Sequence, residues 1–563
     1  MITFTETKPI KLPGKSSILI TFKYSREIVD SVKQIPSAIY HKKLTAWEIP
    51  TTSLARAIEI LTNYDDIEVN LIDNTTEEEN PDVEYELQEY KTTPYQYQKD
   101  AIQYGLNHDK FLLLDAPGLG KTLTMIYLAQ ELKSREGIEH CLIICGINTL
   151  KHNWKKEIET HSSLDCRILG ERTTKKGTVR IGSVQERLED LRNPIEEFFV
   201  ITNVETLRNS DIVKEFSKGT TNKFDMIVLD ECHKCKTPTA QQSKGLLKLK
   251  AKHQIGLTGT LLLNNPMDAF MPLKWLGIEN STFTNFKFYF CKFTGQFNNI
   301  LIGYKNIDVL KEEIEENSLR RTKDLLDLPP KNIIHEYVDM NDNQARFYEN
   351  ITQGIVDEVD KVEINTSTLL SMLTRLRQAT ACPRILTTED IESSKISRAI
   401  DLTQQIVESG DKVVIFSVFK ETLNKLNEEL KNYNPLLCTG DVKDDIISRN
   451  IDVFQNTEDN KVMLATTAKM GTGITLTKAH YAIFIDCPWT AAECTQCEDR
   501  IYRIGSDSPV FIYYLWAKDT IDERVQQIVQ DKEAISDFII DNKVSAKAID
   551  SLRKYILDLG ENI

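Results

Sequence analysis

No stretch of the sequence comes near the roughly 18 consecutive apolar residues that a membrane-spanning helix requires. Hydrophobic residues are 41% of the chain and charged residues 27%, the proportions of an ordinary globular protein. A positive balance is also missing: 69 Lys and Arg stand against 84 Asp and Glu, a formal charge of −15. Such a chain cannot hold nucleic acid by coating itself in cations, so any contact of that kind is expected to be local, in a groove. The first residues, MITFTETKPIKLPGK, have no charged segment followed by an apolar one. That predicts neither export nor organelle import, and a cytoplasmic location. The eleven Cys residues lack a disulfide-like framework and read as reduced thiols. Two C-x-x-C pairs, Cys232/Cys235 and Cys494/Cys497, could be taken as four zinc ligands, but each lies inside a motif with another use. Finally, no Lys or Arg occurs between Tyr64 and Tyr90, while Glu77, Glu78, Glu79, Asp82, Glu84, Glu86 and Glu89 crowd around Pro81. This reads as a solvated linker over 76–90, and hence as a domain boundary.

What is present is long enough, at 563 residues, for about three or four folding units. Before the linker, residues 1–75 interleave cations with aromatics: Phe22, Lys23, Tyr24 and Arg26, then Tyr40, His41, Lys42, Lys43 and Trp47. After it, short apolar runs alternate with helix-length amphipathic segments. FLLLD at 111, CLIIC at 141, FFVIT at 198, MIVLD at 226 and HQIGLTGT at 253 predict a parallel sheet with covering helices over 91–275. KVVIFS at 412, KVMLATT at 461, YAIFID at 481 and VFIYYLW at 510 predict a second over 396–563. The rhythm breaks over 276–395, which reads as helical insertions between two α/β lobes.

The run FLLLD leads into APGLGKT, where Gly118, Leu119, Gly120, Lys121 and Thr122 open a helix. Glycines there let backbone N–H groups close around phosphates, Lys121 would neutralise β and γ oxygens, and the Thr122 hydroxyl would ligate Mg²⁺. Asp115 stands where the usual pattern has its first Gly. MIVLD ends in Asp230 and Glu231, followed by Cys232 and His233. An acid at a strand's C-terminal end suits a metal contact, and its neighbour can position water. Near the far end, QCEDRIYRIG spaces Arg500 and Arg503 three apart, on one face if helical. Guanidinium there would stabilise charge developing on a γ-phosphate, supplied across a cleft by the second lobe.

The order of these motifs resembles the superfamily-two helicases, and specifically the Snf-type remodelling translocases. YQKDAI resembles their adenine-recognising glutamine motif, with Gln98 the better candidate and Gln96 the lesser. GLTGTLLLNN, the Gly471–Thr472–Gly473 of AKMGTGITLT, and QCEDRIYRIG with Gln496 resemble later ATPase motifs. Asn153 and Trp154 resemble the first DNA-contacting motif. LRRTKDLLDLPPK, with Arg320 and Arg321, LTRLRQATACP, and IGSDSPVFIYYLWAKDTIDE resemble segments outside the generic lobes. Departures are Cys232 for the usual Ala, Ser506 for a common Gln and Gly146 for a usual Pro. The resemblance runs from about residue 90 to 530. FKYSREIVDSVKQIPSAIYHKKLTAWEIP, within the first 75 residues, resembles the HARP module of annealing helicases.

This resemblance implies an α/β fold of two RecA-like parallel-sheet lobes with helical insertions and a small N-terminal α+β domain. It implies ATP and Mg²⁺ as cofactors and double-stranded, branched or forked DNA as partner. Lys42, Lys43, Trp47, Asn153, Trp154, Arg320 and Arg321 are the expected DNA contacts. Lys121, Asp230, Glu231, Arg500 and Arg503 are the expected catalytic set, with Gln98, Gly118, Leu119, Gly120, Thr122, His233, Gly471, Gly473 and Gln496 around the nucleotide and Thr122 and Asp230 at the metal. The expected activity is ATP-driven translocation on duplex DNA by a monomer, with remodelling or re-pairing of branched DNA. A motor displacing proteins such as RNA polymerase and an ATP-binding scaffold without turnover are the alternatives. Frequent Asn, Ile, Lys and Asp fit an AT-rich bacterial or bacteriophage genome.

Overall fold

The computed structural model describes residues 1–530 apart from 8, 13–15, 36–37, 65, 71–81, 147–149, 174–178, 260–265, 295–299, 327, 362–365, 471–473 and 490, together with 539–540 and 543–544. The chain divides into two compact units, Met1–Ala116 with Gly120–Thr322, and Pro117–Leu119 with Lys323–Ile563. Among the described residues no helix is long and apolar enough to cross a membrane.

The first unit opens on a small mixed sheet of β1 (Ile2–Thr7), β2 (Ser17–Thr21), β3 (Ile39–His41), β4 (Ala46–Pro50) and β5 (Ile67–Asn70), in the order β3-β4-β2-β1-β5. Only β5 runs parallel to its neighbour. Alternation in ITFTET and SILIT sends Ile2, Phe4, Ile18 and Ile20 to one face. The helices Arg26–Val32 and Leu54–Leu61 cover that face with Ile28, Val32, Ala57 and Leu61. Glu48, fully buried, accepts from the Ile10 and Lys11 N–H groups at 2.7 and 2.9 Å and from Ser17 Oγ at 2.8 Å, with His41 Nε2 at 2.6 Å. These bonds satisfy a buried carboxyl group and fasten the β1–β2 loop.

The acidic stretch is not the free linker that its composition suggests. From residue 82 it lies along the next domain: Val83 exchanges backbone bonds with the Asn107 amide, Tyr85 with the Gln103 amide, and the Gln88 N–H reaches Glu131. Primary amides on the helix Gln96–Asn107 offer the donor and acceptor that a neighbouring strand would, so an acidic segment is pinned without burying its charges.

The main sheet of this unit contains β6 (Lys110–Leu113), β7 (His140–Cys145), β8 (Cys166–Ile168), β11 (Phe199–Asn203), β12 (Phe224–Asp230), β13 (His253–Leu257) and β16 (Ser318–Leu319); β9 (Glu171–Thr173) and β10 (Val179–Ile181) form a separate hairpin, as do β14 (Cys291–Thr294) and β15 (Ile300–Tyr304). The strand order is β16-β6-β13-β12-β7-β11-β8, and every pairing is parallel. Leu142, Ile144, Ile227 and Leu229 face one core and Ile143, Cys145, Met226 and Val228 the other. Burial on both faces explains why these strands read as unbroken apolar runs.

The second unit holds another parallel sheet, of β17 (Lys331–Val338), β18 (Val413–Ser417), β19 (Leu436–Cys438), β20 (Val462–Thr466), β21 (Tyr481–Phe484) and β22 (Val510–Ala517), ordered β17-β22-β21-β18-β20-β19. Within residues 276–395 the helices are Phe283–Phe290, Ile307–Glu316, Asp342–Lys361 and Thr366–Ala381. The same region also supplies the β14–β15 hairpin and two sheet strands, β16 and β17. As an edge strand, β17 leaves Ile333 and Tyr337 exposed and so lacks the apolar run that marks a central strand.

Candidate functional site

β6 ends at Leu113 and the helix Lys121–Glu136 begins, both in the first unit, and between them in the chain Gly118 and Gly120 have φ of 90° and 77°. These are left-handed conformations that side chains other than Gly adopt at a cost. A Cβ at Gly120 would lie 2.5 Å from Gln98 Nε2. Gln98 is 1% exposed, and its Oε1 accepts the Tyr95 N–H at 3.0 Å. It therefore lies packed beneath the loop. Leu119 is buried, and Thr122 is half-buried in the helix's first turn. Lys121 Nζ donates to the Asp115 carbonyl at 2.7 Å.

At the end of β12, Asp230 is buried. Its Oδ2 accepts from Trp154 Nε1 at 2.8 Å and its Oδ1 from the Glu231 N–H at 2.9 Å. Burial pushes its carboxyl up to about 6 and the charge of Glu231 adds to this, while the Trp154 bond and the Lys121 charge act the other way. Glu231 adopts φ 51°. Beside it Gly146 donates its N–H to the Asp230 carbonyl at 2.9 Å, and a Cβ on Gly146 would meet Glu231 Cβ at 2.8 Å. The Gly for Pro departure thus keeps a backbone donor at a place with no room for a larger side chain. His233 Nδ1 lies 3.0 Å from Thr258 Oγ1 and 3.3 Å from Glu231 Oε2. Burial, followed by the charges of Lys234, Lys236 and Lys121, lowers its imidazole to about 3, so it is neutral at pH 7.

Two of the expected DNA contacts are engaged with buried carboxylates of the chain. Trp154 is 1% exposed, because Leu150, Trp154 and Ile158 form the inner stripe of the helix Leu150–His161, and its indole holds Asp230. Arg321 holds Asp115 with Nε at 2.9 Å and a terminal nitrogen at 2.5 Å, lies 5.4 Å from the Tyr97 ring and donates to the Tyr97 carbonyl. Its guanidinium neutralises a carboxylate that is 1% exposed. Asn153 is half-buried on the outer part of the Trp154 helix, and Arg320 is exposed. In the N-terminal sheet, Lys42 and Lys43 are exposed in the β3–β4 turn, while Trp47 packs on the core with its ring 5.3 Å from Tyr40.

In the second unit the helix Ala491–Ile501 ends before Arg503, so the two arginines do not share a helical face. They converge nevertheless: a terminal nitrogen of each donates to the Ile474 carbonyl at 3.4 Å. Ser506 accepts the Arg503 N–H at 3.2 Å and donates to the Ile501 carbonyl at 2.5 Å, closing the turn with the residue that departs from the family's Gln. Gln496 is half-buried on the same helix; Gly471 and Gly473 lie outside the described residues. The preceding acids are braced. Glu498 pairs with Lys331 at 2.9 Å and accepts from Tyr514, and Asp499 pairs with Lys323. Both lysines lie over the Tyr502 ring, at 5.0 and 5.5 Å. Cys232 and Cys235 are buried in the first unit and Cys494 and Cys497 in the second.

Sequence reasoning missed Trp154 as the partner of Asp230, the Arg321–Asp115 pair and the Lys323 and Lys331 braces. Only the acids' position beside Arg500 hinted at the last of these.

A glycine loop at a helix N-terminus, with a lysine at its end and a buried acid pair at the C-terminal edge of the same parallel sheet, defines a phosphate-loop fold class. The SNF2-related domain matches residues 95–385 and the helicase conserved C-terminal domain residues 394–505. The chain belongs to the SNF2-related family. It is similar to an ATP-dependent helicase of Mycoplasma pneumoniae, 27% identical over 86% of this chain and 46% of that protein. It is also similar to the ATP-dependent helicase/translocase YwqA of Bacillus subtilis, 27% identical over 81% of this chain and 49% of the relative. A SWI/SNF-related matrix-associated actin-dependent regulator of chromatin subfamily A-like protein 1 homolog of Caenorhabditis elegans is 24% identical over 93% of this chain and 74% of its own length. The chain spans about half the length of the first two relatives. Among solved structures, the Sulfolobus solfataricus SWI2/SNF2 ATPase core in complex with dsDNA is 23% identical, covering 81% of this chain and 95% of that one at a TM-score of 0.37.

Proposed function

We propose that this chain is a DNA-dependent ATPase that moves along double-stranded DNA and remodels or anneals branched and forked DNA. The observation that carries the reading is the meeting, at the C-terminal edge of one parallel sheet, of the Lys121 helix start after β6 and the Asp230–Glu231 pair after β12. The residues fit ATP and Mg²⁺. Gly118 and Gly120 keep the loop's N–H groups free of side-chain cover, and Asp230 is a buried carboxyl to which a nearby cation restores the charged form. When bound, ATP supplies the phosphoryl group and Mg²⁺ the charge that offsets its oxygens.

Lys121 would bind the phosphate oxygens, while the Thr122 hydroxyl and the Asp230 carboxylate would hold the metal. Trp154 and the Glu231 N–H keep that carboxylate oriented. Glu231 positions the attacking water and takes up its proton, and neutral His233 links it to Thr258. Gln98 supports the loop at Gly120. Arg500 and Arg503 stabilise the charge of the transition state, with Gly471, Gly473 and Gln496 contributing to the nucleotide site from the same unit.

The N-terminal sheet selects the DNA. Lys42 and Lys43 supply phosphate contacts and Trp47 with Tyr40 an aromatic surface for an unpaired base. The alignment to the Caenorhabditis elegans relative covers 93% of the chain, which leaves too few residues out to omit the whole of this sheet. The test is steady-state ATP hydrolysis with single-stranded, duplex, forked and four-way DNA. Stimulation by duplex, strongest on forked or four-way DNA, is expected. Hydrolysis indifferent to every DNA would overturn the reading.

A further inference from the structure

The stretch joining the two units carries two cations with different allegiances. Residues 317–321 run beside β6 into the phosphate loop: the N–H groups of Leu112, Leu114 and Ala116 donate to the carbonyls of Asn317, Leu319 and Arg321 at 2.9, 2.8 and 2.9 Å. The Arg321 guanidinium then closes on Asp115, whose carbonyl accepts Lys121 Nζ. Arg321 is thereby fixed to the root of the loop that presents Lys121. One exposed residue later, Thr322 ends the first unit and Lys323 opens the second.

Lys323 donates to the Asp499 carboxylate and to the Tyr502 carbonyl, the latter at 2.7 Å. Asp499 immediately precedes Arg500, and Tyr502 immediately precedes Arg503. Asp499 is 3% exposed, and burial raises its carboxyl while the Lys323 charge opposes that rise. A buried acid robbed of its cation is costly, so the brace cannot be removed without the helix end readjusting. The planar peptide holds consecutive Cα atoms at a set separation, and Arg321 and Lys323 are two steps apart, about 7 Å at full extension. The residue anchored on Asp115 and the residue anchored on the arginine turn are thus separated by a single residue of chain.

We propose that Lys323 is a positioning residue for Arg500 and Arg503, and that residues 321–323 form a tether through which the placement of those arginines follows the phosphate loop. The inference rests on the proposed roles of Lys121, Arg500 and Arg503. Asp499→Asn and Lys323→Met remove the charge pairing at its two ends with little change in side-chain volume. Insertion of two Gly after Thr322 keeps both anchors and lengthens the span.

The experiment measures DNA-stimulated kcat, KM for ATP and affinity for a fluorescent ADP on the full chain. A misplacement of about 1 Å costs on the order of 100-fold in rate, so Lys323→Met and the insertion are each expected to lower kcat at least about tenfold. KM and ADP affinity stay within twofold, because the Lys323 ammonium is bonded to Asp499 and the Tyr502 carbonyl and to no group assigned to the nucleotide. Lys323→Asp combined with Asp499→Lys, which reverses the pair, restores part of the loss. Unchanged kcat in Lys323→Met or in the insertion overturns the tether, and so does an equal loss of ADP affinity. Arg503→Ala separates this outcome from failure of the underlying reading. If Arg503→Ala is slow while the tether variants are not, the tether alone falls; if Arg503→Ala turns over normally, the arginine role falls first.

Discussion

Trp154→Phe removes one N–H from the site and keeps an aromatic ring in the core. The indole nitrogen donates to Asp230 Oδ2 at 2.8 Å, and the other carboxylate oxygen is held by the Glu231 N–H at 2.9 Å. With Phe, one of two fixed donors is lost and the carboxylate is free to rotate away from the geometry its proposed metal requires. A hydrogen bond to a charged acceptor contributes roughly 1.5–3 kcal/mol. At 1.36 kcal/mol per tenfold, full transfer of that loss to the metal-bound state is about 10- to 150-fold. Outer partners of metal ligands commonly contribute about 10- to 100-fold to affinity or activity. The half-saturating Mg²⁺ concentration for hydrolysis should therefore rise at least about tenfold. Mn²⁺ binding in the presence of ADP, followed by electron paramagnetic resonance, should weaken by a similar factor. Trp154→Ala is the wrong variant, because emptying a fully buried site costs about 3–5 kcal/mol and risks unfolding. An unchanged metal midpoint in a folded Trp154→Phe protein would show that the indole merely fills space, and the Asp230 assignment would lose its main structural support.

Lys121→Ala should abolish hydrolysis and weaken ATP binding while leaving the melting temperature close to that of the parent, since a half-exposed loop cation carries little packing; normal turnover would remove the site. Glu231→Gln should still bind ATP yet hydrolyse it far more slowly, because an amide cannot accept a proton, and rapid single-turnover hydrolysis would count against it. Deleting residues 1–80 should leave stimulation by plain duplex and reduce fork remodelling, with Lys42→Ala plus Lys43→Ala weakening fork binding in a salt-dependent way; undiminished remodelling would deny the N-terminal sheet its role. Glu313 is buried on the helix Ile307–Glu316, and burial, followed by the charges of Glu279 and Glu316, raises its carboxyl from 4.5 to about 8. The folded protein then holds more protons than the unfolded chain, so stability is full below pH 4.5 and is lost as pH rises toward 8, by no more than about 5 kcal/mol. Glu313→Gln should flatten this fall in urea denaturation between pH 6 and 9, and identical pH curves would refute it.

Much of the site was legible in the chain because its chemistry is local. Gly118 to Thr122 are contiguous, so strand, loop and helix follow from glycine freedom and an apolar run, and Asp230 and Glu231 announce themselves by ending such a run. The edge strand β17 was not legible, since an alternating, half-exposed segment gives no apolar run, and neither was the docking of residues 82–90, whose charges say solvent while their backbone pairs with amides. The reading of Arg500 and Arg503 as one helical face followed from spacing, yet the helix stops at Ile501 and a turn closed by Ser506 brings them to the same carbonyl.

By itself the sequence determined the two parallel sheets, the phosphate loop and the acid pair, because apolar periodicity and residue chemistry act over a few neighbours. Tertiary structure alone decided which partners the charges keep. Trp154 and Arg321 carry the residue types of DNA contacts, but one is buried against Asp230 and the other against Asp115. Those partners stand 76 and 206 residues away. A side chain's hydrogen-bond capacity is written in its type, whereas the desolvation that makes a particular distant partner obligatory exists only once the chain has folded around it.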